Sequence, residues 1–199
     1  AQPIPGTVGA RQPFFSPDGS SVGFWSTAES ELRKVAIGGG PIVTICKAPT
    51  GNLYGAAWGE DGTIVFGSGG LYRVSAAGGT PEVLTTPAGD RGEVEHRWPE
   101  ILPGGNGLVF TVWSGSIDRS RVVIREMGGG ETKTLFEGAS SARYAATGHL
   151  VYYQSGNVMA TPFDPVQRTV GDRRVPVQEN VKTTVSGATD FGIARNGTF

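Results

Sequence analysis

Apolar residues in this chain fall in short bursts, and each burst ends in a cluster of glycine, proline, aspartate or asparagine. That alternation predicts many short β-strands joined by tight turns. The first complete group begins with Pro13-Phe14-Phe15, which runs into the turn Ser16-Pro17-Asp18-Gly19. Proline and aspartate preset the bend there, and glycine supplies positive φ. Three more strands are expected: Ser21-Val22-Gly23-Phe24-Trp25-Ser26, then Glu31-Leu32-Arg33-Lys34-Val35-Ala36, then Ile42-Val43-Thr44-Ile45 after the turn Gly38-Gly39-Gly40-Pro41.

The same grammar returns three times. Ala57-Trp58-Gly59-Glu60-Asp61-Gly62 opens the second copy, Pro99-Glu100-Ile101-Leu102-Pro103-Gly104-Gly105 the third, and Arg143-Tyr144-Ala145-Ala146-Thr147-Gly148 the fourth. The turn glycines Gly19, Gly62, Gly105 and Gly148 are 43 residues apart, and Gly197 follows after 49. A repeat near 43 built of four strands predicts an all-β fold, a β-propeller of four-stranded antiparallel blades. The expected blades span 11–46, 54–86, 97–136 and 142–178, with 187–199 starting a fifth and 1–7 the last strand of a preceding one. Such an incomplete ring leaves open edges, so self-association or membership of a longer ring is expected.

Composition adjusts this picture little. The 32 glycines and 13 prolines punctuate strands instead of forming low-complexity runs, and 199 residues suffice for a real core. Seventeen basic and eighteen acidic residues leave a net charge of -1 with no block of either sign, which gives nucleic acid no footprint. The single cysteine, Cys46, rules out an internal disulfide and a cysteine-rich zinc site. No apolar stretch reaches the roughly 20 residues of a membrane helix, and Ala1-Gln2-Pro3-Ile4-Pro5 lacks the regions of a signal peptide, so no membrane insertion by this chain is expected.

The Phe-Ser-Pro-Asp-Gly turn at Phe15 to Gly19, the Leu71-Tyr72-Arg73-Val74 strand and the Gly78-Gly79-Thr80-Pro81 turn resemble the TolB-like propeller repeats, relatives of the WD repeat. The wording of Glu95-His96-Arg97-Trp98-Pro99 and Thr147-Gly148-His149-Leu150-Val151-Tyr152 is similar to the propeller that follows the kinase domain in certain bacterial serine/threonine kinases. That resemblance implies an extracytoplasmic sensor. Blades two and four depart from the pattern with Gly59-Glu60-Asp61-Gly62 and Ala145-Ala146-Thr147-Gly148. No kinase motif is present, and Asp190-Phe191-Gly192 stands without the catalytic loop a kinase needs upstream.

In propellers of this kind the first strand of each blade lines the central channel. Aligning the turns puts Arg11, Tyr54 and Arg97 at matching positions before strand one, with His96 and Trp98 flanking the third, and Arg143 and Asp190 near the corresponding points of the last two copies. Arginine among aromatic rings suits a carboxylate-bearing ligand. The competing reading makes these arginines solvated and Trp98 part of the core.

Other chemistry is weaker. His96 has Glu93, Glu95 and Glu100 nearby in sequence, but an extended backbone would turn His96 away from Glu93 and Glu95. The glycine-serine turns at Gly67-Ser68-Gly69-Gly70 and Trp113-Ser114-Gly115-Ser116-Ile117-Asp118 lack the setting of a nucleophile elbow, and the latter reads as a long hairpin in blade three. The recurring aromatics Phe24, Trp25, Phe66, Phe110, Tyr152 and Tyr153 read as packing between blades. No cofactor or metal is expected. The function expected is a non-catalytic sensor module that binds a protein, peptide or small ligand at the channel mouth. A hydrolase, a lyase or the propeller domain of a serine peptidase is the alternative.

Overall fold

The computed structural model describes residues 3–184, 187–189, 191 and 193. Its strands form four antiparallel meanders. The first sheet runs β1 (Ala10–Phe15), β2 (Ser21–Ser26), β3 (Glu31–Ala36), β4 (Val43–Lys47), and the second β5 (Ala56–Trp58), β6 (Thr63–Ser68), β7 (Gly70–Ser75), β8 (Glu82–Thr85). The third runs β9 (Glu95–Ile101), β10 (Gly107–Trp113), β11 (Arg121–Glu126), β12 (Lys133–Glu137). In the fourth, β13 (Ala139–Ala145), β14 (His149–Gln154) and β15 (Asn157–Asp164) are followed by β16 (Thr169–Val170) and β17 (Val175–Gln178). Both of these last strands pair with β15.

The sequence pattern explains the layering. Second strands are apolar on both faces, and all seven residues of β10 are buried. Fourth strands carry polar residues outward, as in β4, where only Ile45 and Cys46 are buried. The recurring aromatics Phe24, Trp25, Phe66, Phe110, Tyr152 and Tyr153 are all buried.

Three details differ from expectation. β15 continues past Thr161 to Asp164 and makes an extra hairpin with β16. β13 begins at Ala139, four residues before the expected start of its strand. Residues 3–7, the described part of the expected strand 1–7 of a preceding blade, form no strand: Thr7 N–H and Oγ1 both donate to the Ile4 carbonyl, and prolines at 3 and 5 have no N–H for a ladder. Most of the expected fifth blade, residues 194–199 included, lies outside the described residues.

The chain divides into two compact units, Ala1–Thr86 with His96–Pro99, and Pro87–Glu95 with Glu100–Phe199. The core of the first gathers Trp25, Leu32, Ile45, Ile64 and Phe66 with Phe14, whose ring lies 6.1 Å from that of Trp58. Its two sheets are tied by Gly79 N–H donating to the Ile45 carbonyl and Lys34 Nζ to that of Ala76. The second unit packs Val109, Val122, Leu150 and Phe163 around a stacked pair, Phe136 and Tyr152, with ring centroids 3.8 Å apart. A smaller cluster of Ala145, Val151, Val158 and Ala160 is covered by Val181, Phe191 and Ile193.

Candidate functional site

At or just before the first strand of every sheet one residue adopts left-handed backbone geometry: Gln12 (φ 51°), Gly55 (82°), Trp98 (49°) and Ser141 (56°). These positions are 43 residues apart, the spacing of the turn glycines. The left-handed residue falls within the register shift of β1 against β2 and of β13 against β14, a β-bulge that re-aims the side chains beside it. Three of the four are not glycine, and a bulky residue such as Trp98 takes this conformation only when its surroundings impose it.

The residues just before these positions are Arg11, Tyr54, Arg97 and Ser140. The repeat therefore puts Ser140, not Arg143, in the place matching Arg11, Tyr54 and Arg97. Arg143 lies three residues beyond that place.

Within the first unit Tyr54, His96, Arg97 and Trp98 come together. The Arg97 guanidinium carbon lies 4.0 Å from the Tyr54 ring centroid and 5.7 Å from that of Trp98. Trp98 N–H donates to the Tyr54 carbonyl at 2.8 Å, and His96 N–H to that of Gly69. Such an approach needs glycines. A Cβ on Gly67 would sit 2.8 Å from the His96 carbonyl oxygen and 2.9 Å from that of Tyr54, while one on Gly55 would meet Trp98 Cδ1 at 2.8 Å. Tyr54 is half-buried, whereas Arg97 is 5% and Trp98 4% exposed, so Trp98 is a core residue and Arg97 is packed rather than freely solvated. Arg11 is exposed on β1.

His96 is held in place from its side chain. Its Nδ1 is 2.6 Å from Thr85 Oγ1, which also accepts the Leu71 N–H at 3.0 Å, and all three residues are buried. The nearby carboxylates are engaged elsewhere. Glu93 pairs with Arg121 and accepts the Ala88 N–H. Glu100 lies 3.8 Å from Arg143 and accepts the Tyr144 N–H. His149 turns back on its own hairpin, its Nδ1 donating to the Thr147 carbonyl at 3.0 Å. Burial pushes the Cys46 thiol up to about 11, away from the reactive thiolate range. Among the described residues no three histidine, cysteine or acidic side chains are grouped to hold a metal ion. Asp190 lies outside the described residues.

In the second unit the expected long hairpin is present as a hydrogen-bonded loop. Ser114 N–H donates to Ser120 Oγ, which donates to the Ser116 carbonyl at 2.6 Å, around a single 3-10 turn at Ile117–Arg119. Beside it is a cavity of about 420 Å³. Nothing in the residue pattern marked that cavity, because its walls come from two hairpins about 40 residues apart in sequence.

Neither a family model nor a curated protein matches this sequence. Solved structures do match it. A gluconolactonase from Xanthomonas campestris superposes with a TM-score of 0.69 at 13% identity, covering 94% of this chain and 67% of its own. A nidogen/laminin complex gives 0.67 at 18%, covering 86% and 65%. TolB from Acinetobacter baumannii gives 0.64 at 17%, covering 86% and 44%. The fold is that of a β-propeller. The TolB-like character of the repeats agrees with these neighbours, which include enzymes as well as binding proteins. The chain spans 65% of the nidogen/laminin match and 44% of TolB, so it corresponds to part of a propeller of their size.

Proposed function

We propose that this chain is a non-catalytic propeller segment that recognises a carboxylate-bearing peptide or small ligand, acting as the sensor part of a larger bacterial signalling protein. The observation that carries this reading is the meeting of Arg97 with Tyr54 and Trp98 at the left-handed position of the first strands. A guanidinium held over an aromatic ring keeps its orientation, and its fork of N–H groups has the geometry with which carboxylates pair. Arg11 occupies the matching place one blade further from Tyr54 and is exposed. The alternative reading, a hydrolase or lyase, would put His96 or His149 of this chain in a pocket beside a carboxylate. His96 is instead clamped by Thr85, and His149 by its own turn.

Thermal-shift titration with a glutamate-rich peptide and with small dicarboxylates tests the proposal. Ligands that raise Tm in the wild type should lose that effect in Arg97→Ala and retain part of it in Arg97→Lys, which keeps the charge without the fork. Shifts that persist unchanged in Arg97→Ala would remove its support.

A further inference from the structure

The cavity in the second unit has no part in the reading above and carries its own argument. One wall is the loop after β10, with Trp113, Ser116 and Asp118, and the other is the turn between β14 and β15, with Tyr153, Ser155 and Gly156. Its volume of about 420 Å³ falls in the range of small-molecule sites, roughly 300–1,000 Å³.

Both walls are fixed before any ligand arrives. Ser120, fully buried, bonds the loop at Ser114 and Ser116, and its carbonyl accepts the Gly138 N–H at 2.9 Å. The opposite turn has positive φ at both central residues, Ser155 (50°) and Gly156 (87°), as a two-residue hairpin of type I′ requires. Serine is a poor occupant of the first of these positions, where glycine, asparagine or aspartate is usual. The strain it carries sets a hydroxyl at the edge of the cavity.

The lining selects a chemical class. Two aromatic side chains, several hydroxyls and one carboxylate line the cavity, and no lysine or arginine does. Asp118 is exposed and forms no ion pair among the described residues. This composition repels anions. Trp113 and Tyr153, 5% and 7% exposed, give a pyranose ring a small apolar contact, while a carboxylate and hydroxyls exchange hydrogen bonds with its hydroxyl groups. We infer that the cavity bounded by Trp113, Tyr153, Asp118 and Ser155 is a binding site for a neutral saccharide unit.

NMR titration of the whole chain with glucose, galactose, N-acetylglucosamine and maltose, each to high millimolar concentration, tests this. At least one should shift the Trp113 indole and the Ser155 and Gly156 amide resonances saturably. Asp118→Asn should weaken that binding about tenfold or more, since it removes a charged acceptor. Ser155→Gly relieves the left-handed strain, so it should leave Tm unchanged or higher and still weaken binding about three- to tenfold. Choline and lysine serve as cationic competitors. The inference fails if none of the four sugars binds, if binding is indifferent to both substitutions, or if the cations bind at these resonances in preference to every sugar.

Discussion

Arg97 lays its guanidinium carbon 4.0 Å from the centre of the Tyr54 ring, and the two residues hold the same position in successive repeats, 43 residues apart. Strand-one residues of neighbouring blades thus contact each other directly through their side chains. A double-mutant cycle with Tyr54→Leu and Arg97→Met should give a favourable coupling of about 0.5–2 kcal/mol in chemical denaturation. A coupling of zero would mean that the contact contributes nothing to stability.

Gly67 should be intolerant of any side chain. Its Cβ would meet two carbonyl oxygens, of His96 and Tyr54, neither of which can swing aside. Gly67→Ala should cost about 1–3 kcal/mol, whereas Gly38→Ala, with open space around the new methyl, should be neutral or slightly stabilising. Denaturation midpoints of the two variants provide the comparison.

Thr85 serves both His96 and Leu71 from one hydroxyl. Thr85→Val keeps the shape and removes the hydroxyl, so it should destabilise by about 1–3 kcal/mol, and Thr85→Ser should recover most of the loss. Equal stability of the valine and serine forms would contradict the proposed clamp on His96.

Ser141 combines a left-handed backbone with a buried hydroxyl that has no partner among the described residues. Replacing it with glycine relieves the strain and sacrifices no side-chain bond. Ser141→Gly should therefore raise stability by about 1 kcal/mol, measured by the shift in urea midpoint at constant slope.

The hydroxyl of Ser16, followed by the N–H and hydroxyl of Ser20, holds the Asp18 carboxyl down at about 2, from an ordinary value of 3.8. Because the folded value is the lower one, ionised Asp18 favours the fold above the ordinary value. This contribution fades as pH falls from about 4 toward 2. The wild type should lose more stability than Asp18→Asn across that window, with the difference small because the carboxylate is fully exposed. Parallel pH-stability curves for the two proteins would refute this.

The sheet count and most strand positions were legible because turn chemistry repeats at the level of residue type. The carboxylates of Asp18 and Asp61 each accept the backbone N–H two residues on. The bulge was not legible. Its left-handed position is filled by Gln12, Gly55, Trp98 and Ser141, which share no side-chain chemistry, so only backbone geometry shows that they are equivalent. Arg143 is near that position in the fourth repeat, but the 43-residue spacing leads from Arg97 to Ser140. The alignment of Arg11, Tyr54 and Arg97 was readable from spacing, but the burial of Arg97 was not, since it depends on Gly55 and Gly67 letting a neighbouring strand draw close. The cavity beside Trp113 depends on two loops distant in sequence, and no local pattern announces it.

From each left-handed residue to its turn glycine the chain counts seven steps in all four repeats: Gln12 to Gly19, Gly55 to Gly62, Trp98 to Gly105 and Ser141 to Gly148. The remaining stretch is equally long each time, although the third repeat places its extra residues in the β10–β11 loop and the second before β9. Loop length is thus traded within a repeat and leaves its total unchanged. A segment cut between two successive left-handed residues therefore always has 43 residues, so copying or deleting one would leave the remaining turn glycines in phase.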